Sequence, residues 1–106
     1  MRLIEAYQSF GGGCPYELWH QSLDWRASAR IDAFVDRVVL GGSKRNIKAV
    51  GDEVFEIRID FGPGYRVYFA VDQLKMILLC GGDKSTQSRD IIKAKKFWRI
   101  YRAQNK

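Results

Sequence analysis

The most regular stretch of the chain lies between Glu53 and Val71, EVFEIRIDFGPGYRVYFAV. Phe55, Ile57, Ile59 and Phe61 take every second place, with Glu56, Arg58 and Asp60 between them. After a break, Tyr65, Val67, Phe69 and Val71 alternate with Arg66, Tyr68 and Ala70. Successive strand side chains point to opposite faces, so this period of two predicts two strands, each with one apolar face. The turn is Phe61-Gly62-Pro63-Gly64-Tyr65, where Pro63 fixes φ and the glycines tolerate either sign of it. Closing the hairpin puts Glu56, Arg58, Arg66 and Tyr68 on one side. Mixed charges of this kind are ordinary on the solvated face of an antiparallel sheet. They would equally make a cationic, aromatic-bordered groove for a phosphate-bearing ligand.

Around the hairpin the pattern predicts helices and shorter strands. Leu3 to Tyr7 reads as an opening strand, broken by Gly11-Gly12-Gly13. Pro15 suits the first turn of a helix reaching about Leu23, with Leu18, Trp19 and Leu23 facing inward. Asp24 is a fitting N-cap for a second helix, Trp25 to Leu40, whose buried stripe is Ala27, Ile31, Phe34, Val35 and Val38. Gly41-Gly42 ends it. A basic connector, Ser43 to Lys48, leads to a short strand near Lys48–Val50 and a turn at Gly51-Asp52. After a turn at Asp72-Gln73, Lys75–Cys80 reads as a strand covered on both faces, and Gly81 to Ser85 as the loop that closes it. The last helix carries Ile91, Ala94, Trp98 and Tyr101 on one stripe and Lys93, Lys96, Arg99 and Arg102 on its wet side. The order β-α-α-β-β-β-α predicts a small α+β domain with a mostly antiparallel sheet. The Pro15–Leu40 helices should pack over Ile57, Ile59, Val67 and Phe69.

Composition narrows the class. A chain of 106 residues, 46% of them hydrophobic, is the size of one domain with a modest core. No apolar run approaches membrane-spanning length, and Met1 to Glu5 lacks the apolar segment of a secretory signal, so a cytoplasmic protein without membrane contact is expected. Cys14 and Cys80 are far apart and have no metal-ligand spacing, which predicts two buried free thiols in a reducing compartment. His20 is the only histidine and reads as a surface residue rather than a base. Neither a metal nor a cofactor is expected. The net charge of +6 is unevenly placed: residues 1–83 carry ten Lys/Arg against eleven Asp/Glu, residues 84–106 eight against Asp90 alone. A basic terminal helix is often just solvated, yet such clustering is also the electrostatic footprint of nucleic-acid binding.

Several motifs coincide with one family. Val50-Gly51-Asp52, Glu56-Ile57-Arg58, Gly62-Pro63-Gly64-Tyr65-Arg66-Val67-Tyr68-Phe69-Ala70, Leu79-Cys80-Gly81-Gly82-Asp83-Lys84-Ser85-Thr86-Gln87 and Asp90-Ile91 together resemble the RelE/ParE superfamily of toxins from type II toxin–antitoxin modules. Within it they are most similar to the HigB-like group, the addiction module killer proteins. The resemblance spans nearly everything from Pro15 to Lys96. It implies an endoribonuclease that cuts messenger RNA on the ribosome, held silent by an antitoxin, a small helix-turn-helix protein. RNA carries its own nucleophile, the 2′-hydroxyl, so no metal is needed; the protein must take its proton, stabilise charge on phosphorus and assist the leaving 5′-oxygen. The resemblance puts Arg66 at the strand arginine that stabilises phosphate, a task suited to a planar guanidinium. It puts Lys84 near the group that helps the leaving oxygen, and Arg58 and Glu56 where RelE has lysines. Arg58 is a poor proton acceptor because its pKa is so high; Glu56 could serve as the base instead, provided it stands over the 2′-hydroxyl. RelE stacks a tyrosine of its last helix on the substrate base. Here that place holds Asp90 or a neighbour, so stacking has to come from Tyr65, Tyr68 or elsewhere. Lys44, Arg45, Lys48, Arg89 and Lys93 complete the expected RNA and ribosome contacts.

Two other classes fit the same residues. A ParE-like inhibitor of DNA gyrase would need no nuclease activity, and the missing RelE lysines and tyrosine suit it. A non-toxic binding module would use the charges only to hold a partner. Retention of Arg66 and Lys84 on a basic surface ranks the nuclease first.

Overall fold

The computed structural model describes residues 3–42 and 44–105. Ser43, the first residue of the expected connector, and Met1-Arg2, in the expected leader-free start, lie outside the described residues. Five strands form one sheet in the order β1-β5-β4-β3-β2. They are β1 (Leu3–Ala6), β2 (Ile47–Gly51), β3 (Val54–Ile59), β4 (Tyr65–Asp72) and β5 (Lys75–Asp83). The helices are α1 (Pro15–Gln21), α2 (Trp25–Val39) and α3 (Gln87–Gln104), the last preceded by a 3-10 turn, Lys84–Thr86. The order is therefore β-α-α-β-β-β-β-α: the short strand expected near Lys48–Val50 is present as Ile47–Gly51, pairs with β3 at the sheet edge, and brings the strand count to one more than the summed order above. All pairings are antiparallel except β1 with β5. The α+β class and the mostly antiparallel sheet are as the sequence predicts.

The sheet is covered on both faces. On one side Ile57, Ile59, Val67 and Phe69 pack with Ile31, Val35 and Val38 of α2 and Tyr16 of α1, all buried. This is the expected helical cover, and it fixes the register, since a slip of one residue would turn these side chains outward. Asp24 caps α2 by accepting the Arg26 amide at 2.7 Å. Leu18 is not part of the inner face; it is 66% exposed. Tyr16 and Trp19 share one side of α1 at i and i+3, Leu18 lies about 200° round from Tyr16, and the helix ends at Gln21, short of the expected Leu23. Val71, at the end of its alternating row, is exposed as well.

The other face corrects the hairpin reading. Glu56, Arg66 and Tyr68 do share it, but α3 closes over it, packing Ala94, Trp98 and Tyr101 against Tyr68, Ala70 and Leu79. Glu56 and Tyr68 are fully buried and Arg66 is 4% exposed. Only Arg58 of the four is exposed.

The strand β5 also runs three residues beyond its expected end at Cys80. Gly81 and Gly82 belong to the strand because each makes room for a neighbour. A Cβ on Gly81 would lie 2.2 Å from the Trp19 ring, and one on Gly82 1.8 Å from the Asp90 carboxylate. One end of the sheet is tied to the C-terminal half of α3. Glu53 accepts from Trp98 Nε1 at 3.2 Å and pairs with Arg102 at 2.7 Å, while Asp72 accepts from the Tyr101 hydroxyl at 2.6 Å.

Candidate functional site

At the opposite end of the sheet a polar cluster is built between β3, β4, the end of β5 and the start of α3. Register places Glu56 opposite Tyr68 and Arg58 opposite Arg66, with Arg66 also opposite Gly82. Residues directly opposite in an antiparallel pair point to the same face, so these groups converge by topology. Glu56 Oε2 accepts from the Tyr68 hydroxyl at 3.0 Å and from Gln87 Nε2 at 2.8 Å. Burial, and then the Glu56 charge beside it, push the Tyr68 phenol above its ordinary range, so this hydroxyl keeps the proton it donates to Glu56. Glu56 Oε1 faces Arg66 Nε at 3.9 Å, and both atoms are buried without a hydrogen-bond partner. Buried polar atoms are normally paired, so this gap marks a place where a third group is wanted.

The Arg66 guanidinium is held by its own turn. Nη1 donates to the Gly64 carbonyl at 2.9 Å and to the Tyr65 carbonyl at 3.3 Å. Gly64 has φ +80°, and a Cβ there would meet Arg66 Nη1 at 3.3 Å and Lys84 Cβ at 3.5 Å. The missing side chain is what lets Arg66 and Lys84 stand side by side. Asp83 organises the start of the 3-10 turn, accepting from the Ser85 amide at 2.8 Å, while its own amide donates to Thr86 Oγ1 at 3.2 Å. Its carboxylate is held below its usual range, chiefly by the Ser85 hydroxyl, with the positive charge of Arg66 a smaller contributor.

The sequence-predicted site residues divide into four groups. Glu56, Arg66, Arg58 and Lys84 are brought together, the last two exposed at the mouth. Lys48 lies opposite Glu56 on β2, exposed on the same face, and Asn46, just after Lys44 and Arg45, accepts the Arg58 amide at 2.8 Å. Arg89 and Lys93 lie across Thr86 and Asp90, in a separate cleft of about 480 Å³ between α1 and α3. The two tyrosines expected to stack on a base are turned to opposite faces. Tyr68 is sealed in the core, and Tyr65 points to the other face, edge-on to Trp19 and stacked on Phe61. Both follow from the alternation of β4 once α3 covers one face and α1 the other.

Two participants escaped the sequence reading. Gln87 holds Glu56 from the first turn of α3. Asp90, 5% exposed, accepts from Thr86 Oγ1 and sits over Gly82. The signal for Asp90 was present: it is the only acid in the basic segment and lies four residues after Thr86, one helical turn away. His20 is partly exposed and bonded to Asp32 at 2.8 Å. Cys14 and Cys80 are buried and unpaired, as expected. Among the described residues no three His, Cys, Asp or Glu side chains gather where they could hold a metal. No helix among them is long and apolar enough to cross a membrane.

Comparison of the sequence with known families places it in a phage-derived, addiction-module toxin-like group. The chain belongs to the Phage derived protein Gp49-like family (DUF891), whose sequence profile matches residues 19–99. A relative from Haemophilus influenzae, described as an uncharacterized protein, is 48% identical over 82 residues, covering 76% of this chain and 82% of the relative. Membership of a toxin-like family implies an antitoxin partner in general.

Proposed function

We propose that this protein is the toxin of a type II toxin–antitoxin module and a ribosome-dependent messenger RNA endoribonuclease of the RelE/ParE, HigB-like kind, acting in the cytoplasm to arrest growth. The observation that carries the reading is the Arg66–Glu56 pair: a buried guanidinium and carboxylate with unfilled hydrogen-bonding atoms, under a mouth formed by Arg58 and Lys84. The chemistry needs a proton acceptor, a stabiliser of phosphate charge and a proton donor. Glu56 takes the proton of the 2′-hydroxyl, whose oxygen forms a bond to phosphorus. Arg66 binds the non-bridging oxygens as their charge grows. Lys84 protonates the 5′-oxygen as its bond to phosphorus breaks, leaving a 2′,3′-cyclic phosphate and a 5′-hydroxyl. The gap between Glu56 Oε1 and Arg66 Nε suits a hydroxyl, which donates to the first and accepts from the second.

The resting structure is closed, since Glu56 has no exposed surface. Substrate engagement therefore requires Arg66 to release the Gly64 and Tyr65 carbonyls, exchanging two neutral acceptors for a charged phosphate. Arg58, Lys44, Arg45 and Lys48 contact the RNA or ribosome on one flank, and Arg89 and Lys93 on the other.

An in vitro translation reaction tests the reading. The wild-type protein should cut messenger at defined codons, and Arg66→Ala, shown folded by circular dichroism, should lose at least a hundredfold in cleavage rate while still co-sedimenting with ribosomes. Inhibition of gyrase supercoiling without messenger cleavage would overturn it in favour of the ParE-like reading.

A further inference from the structure

Glu56 does not present its two oxygens equally. Oε2 accepts from the Tyr68 hydroxyl at 3.0 Å and from Gln87 Nε2 at 2.8 Å. A carboxylate oxygen has two lone pairs, so two donors fill it. Oε1 is buried without a hydrogen-bond partner and faces Arg66 Nε at 3.9 Å. The free lone pairs of the carboxylate therefore lie on the side of the guanidinium. Tyr68 is fixed by the sheet, standing opposite Glu56 in the β3–β4 register. Gln87 comes from 31 residues further along the chain, and its own backbone is firmly held. Before it, Asp83 and Thr86 form a reciprocal capping box around Lys84–Thr86. After it, Asp90 accepts from Thr86 Oγ1 and packs over Gly82. One capped turn thus carries Lys84 and, three residues later, aims the Gln87 amide at Glu56.

We propose that Gln87 is a positioning residue: together with Tyr68 it locks Oε2 of Glu56, so that Oε1 is the atom that takes the proton of the 2′-hydroxyl. The inference rests on the nuclease reading and adds to it which oxygen acts and what holds it. Without the amide the carboxylate is free to turn towards Arg66 and close the gap that receives the hydroxyl. The amide also favours the ionised carboxylate, as any donor to a charged acceptor does. The other charged or titratable groups there are Arg58 on the same strand, Arg66 and Tyr68 on β4, Lys48 opposite on β2, and Asp90 of α3, which acts on Tyr68. A substitution at Gln87 leaves all of them in place.

The test uses the full chain with carbon-13 in its glutamate carboxyl groups, the Glu56 signal being assigned by its loss in Glu56→Gln. In Gln87→Leu, which keeps the bulk and removes the donor, the Glu56 titration midpoint should rise by about one pH unit. Single-turnover cleavage of ribosome-bound messenger should slow about tenfold on the acid limb of its pH profile, and that limb should move up by the same interval. Ribosome affinity should stay as in wild type, because the amide is taken by Glu56. Tyr68→Phe should move the limb in the same sense. A rate lowered equally at every pH, a loss confined to ribosome binding, or an unmoved Glu56 midpoint each overturns the proposal. If the wild type cuts no messenger while the midpoint still moves, the nuclease reading falls and the hold of Gln87 on Glu56 stands.

Discussion

Replacing Arg66 by alanine should damage the fold as well as the chemistry, and the size of that damage can be worked out. Arg66 Nε lies 3.9 Å from Glu56 Oε1, with the two side chains 5% and 0% exposed. At an effective dielectric of about 20, opposite unit charges at that separation attract by about 4 kcal/mol. The alanine variant forfeits this and strands a carboxylate in the core, for which breaking a buried pair costs about 3–5 kcal/mol. Against a total stability of about 5–15 kcal/mol this is a large loss. In a domain of this size it should lower Tm by more than about 10 °C. Denaturant unfolding of four proteins would measure it: wild type, Arg66→Ala, Glu56→Gln and the double variant. Removing the stranded charge should make the double variant more stable than Arg66→Ala by about 1–2 kcal/mol. It should remain inactive. If Arg66→Ala costs less than about 1 kcal/mol and Glu56→Gln brings no relief, the pair is not coupled and the account of the site is wrong.

Three further outcomes follow from the same geometry. Gly82→Ala drives a methyl into Asp90 and Thr86, and overpacking of this kind should cost about 1–3 kcal/mol by thermal unfolding. A variant as stable as wild type would show that Asp90 is free to move aside. Burial, then the Asp90 charge, push the Cys80 thiol up to about 12, so the folded state keeps a proton that the unfolded chain releases near pH 9. Stability should therefore fall as pH rises from about 9 towards 12, and native Cys80 should resist alkylation at pH 8; rapid labelling would contradict its burial. Lys48→Ala should weaken ribosome binding most at low salt and flatten its salt dependence by about one charge, with single-turnover cleavage in bound complexes close to normal. An unchanged salt slope would remove Lys48 from the interface.

The parts of the fold carried by periodicity were legible in the sequence. The hairpin register, the α2 stripe and the helical cover over Ile57 and Val67 all depend on period-two or period-3.6 patterns that burial enforces. Which polar face would be closed was not legible in this way. Glu56, Arg58 and Arg66 look alike as charged residues on one strand face, and only the path of α3 decides that two are sealed and one is wet. Gly81-Gly82 read as a loop because glycine signals both a turn and a close approach, and sequence spacing does not separate Trp19 from Gly81 in space. The site residues Arg66 and Glu56 were found through a family resemblance, whereas Gln87 needed the three-dimensional neighbour to acquire a meaning.

The ties at Glu53 and Asp72 make this a molecule with two ends of different character. Helix α3 is clamped to the hairpin tips by Trp98, Tyr101 and Arg102. Its first turn, at the other end of the helix, rests on the polar cluster through Gln87. The clamp holds the helix in place whatever occupies the far end. Substitutions around Arg58, Lys84 and Gln87 can therefore reshape the polar end while the anchored end keeps the sheet folded.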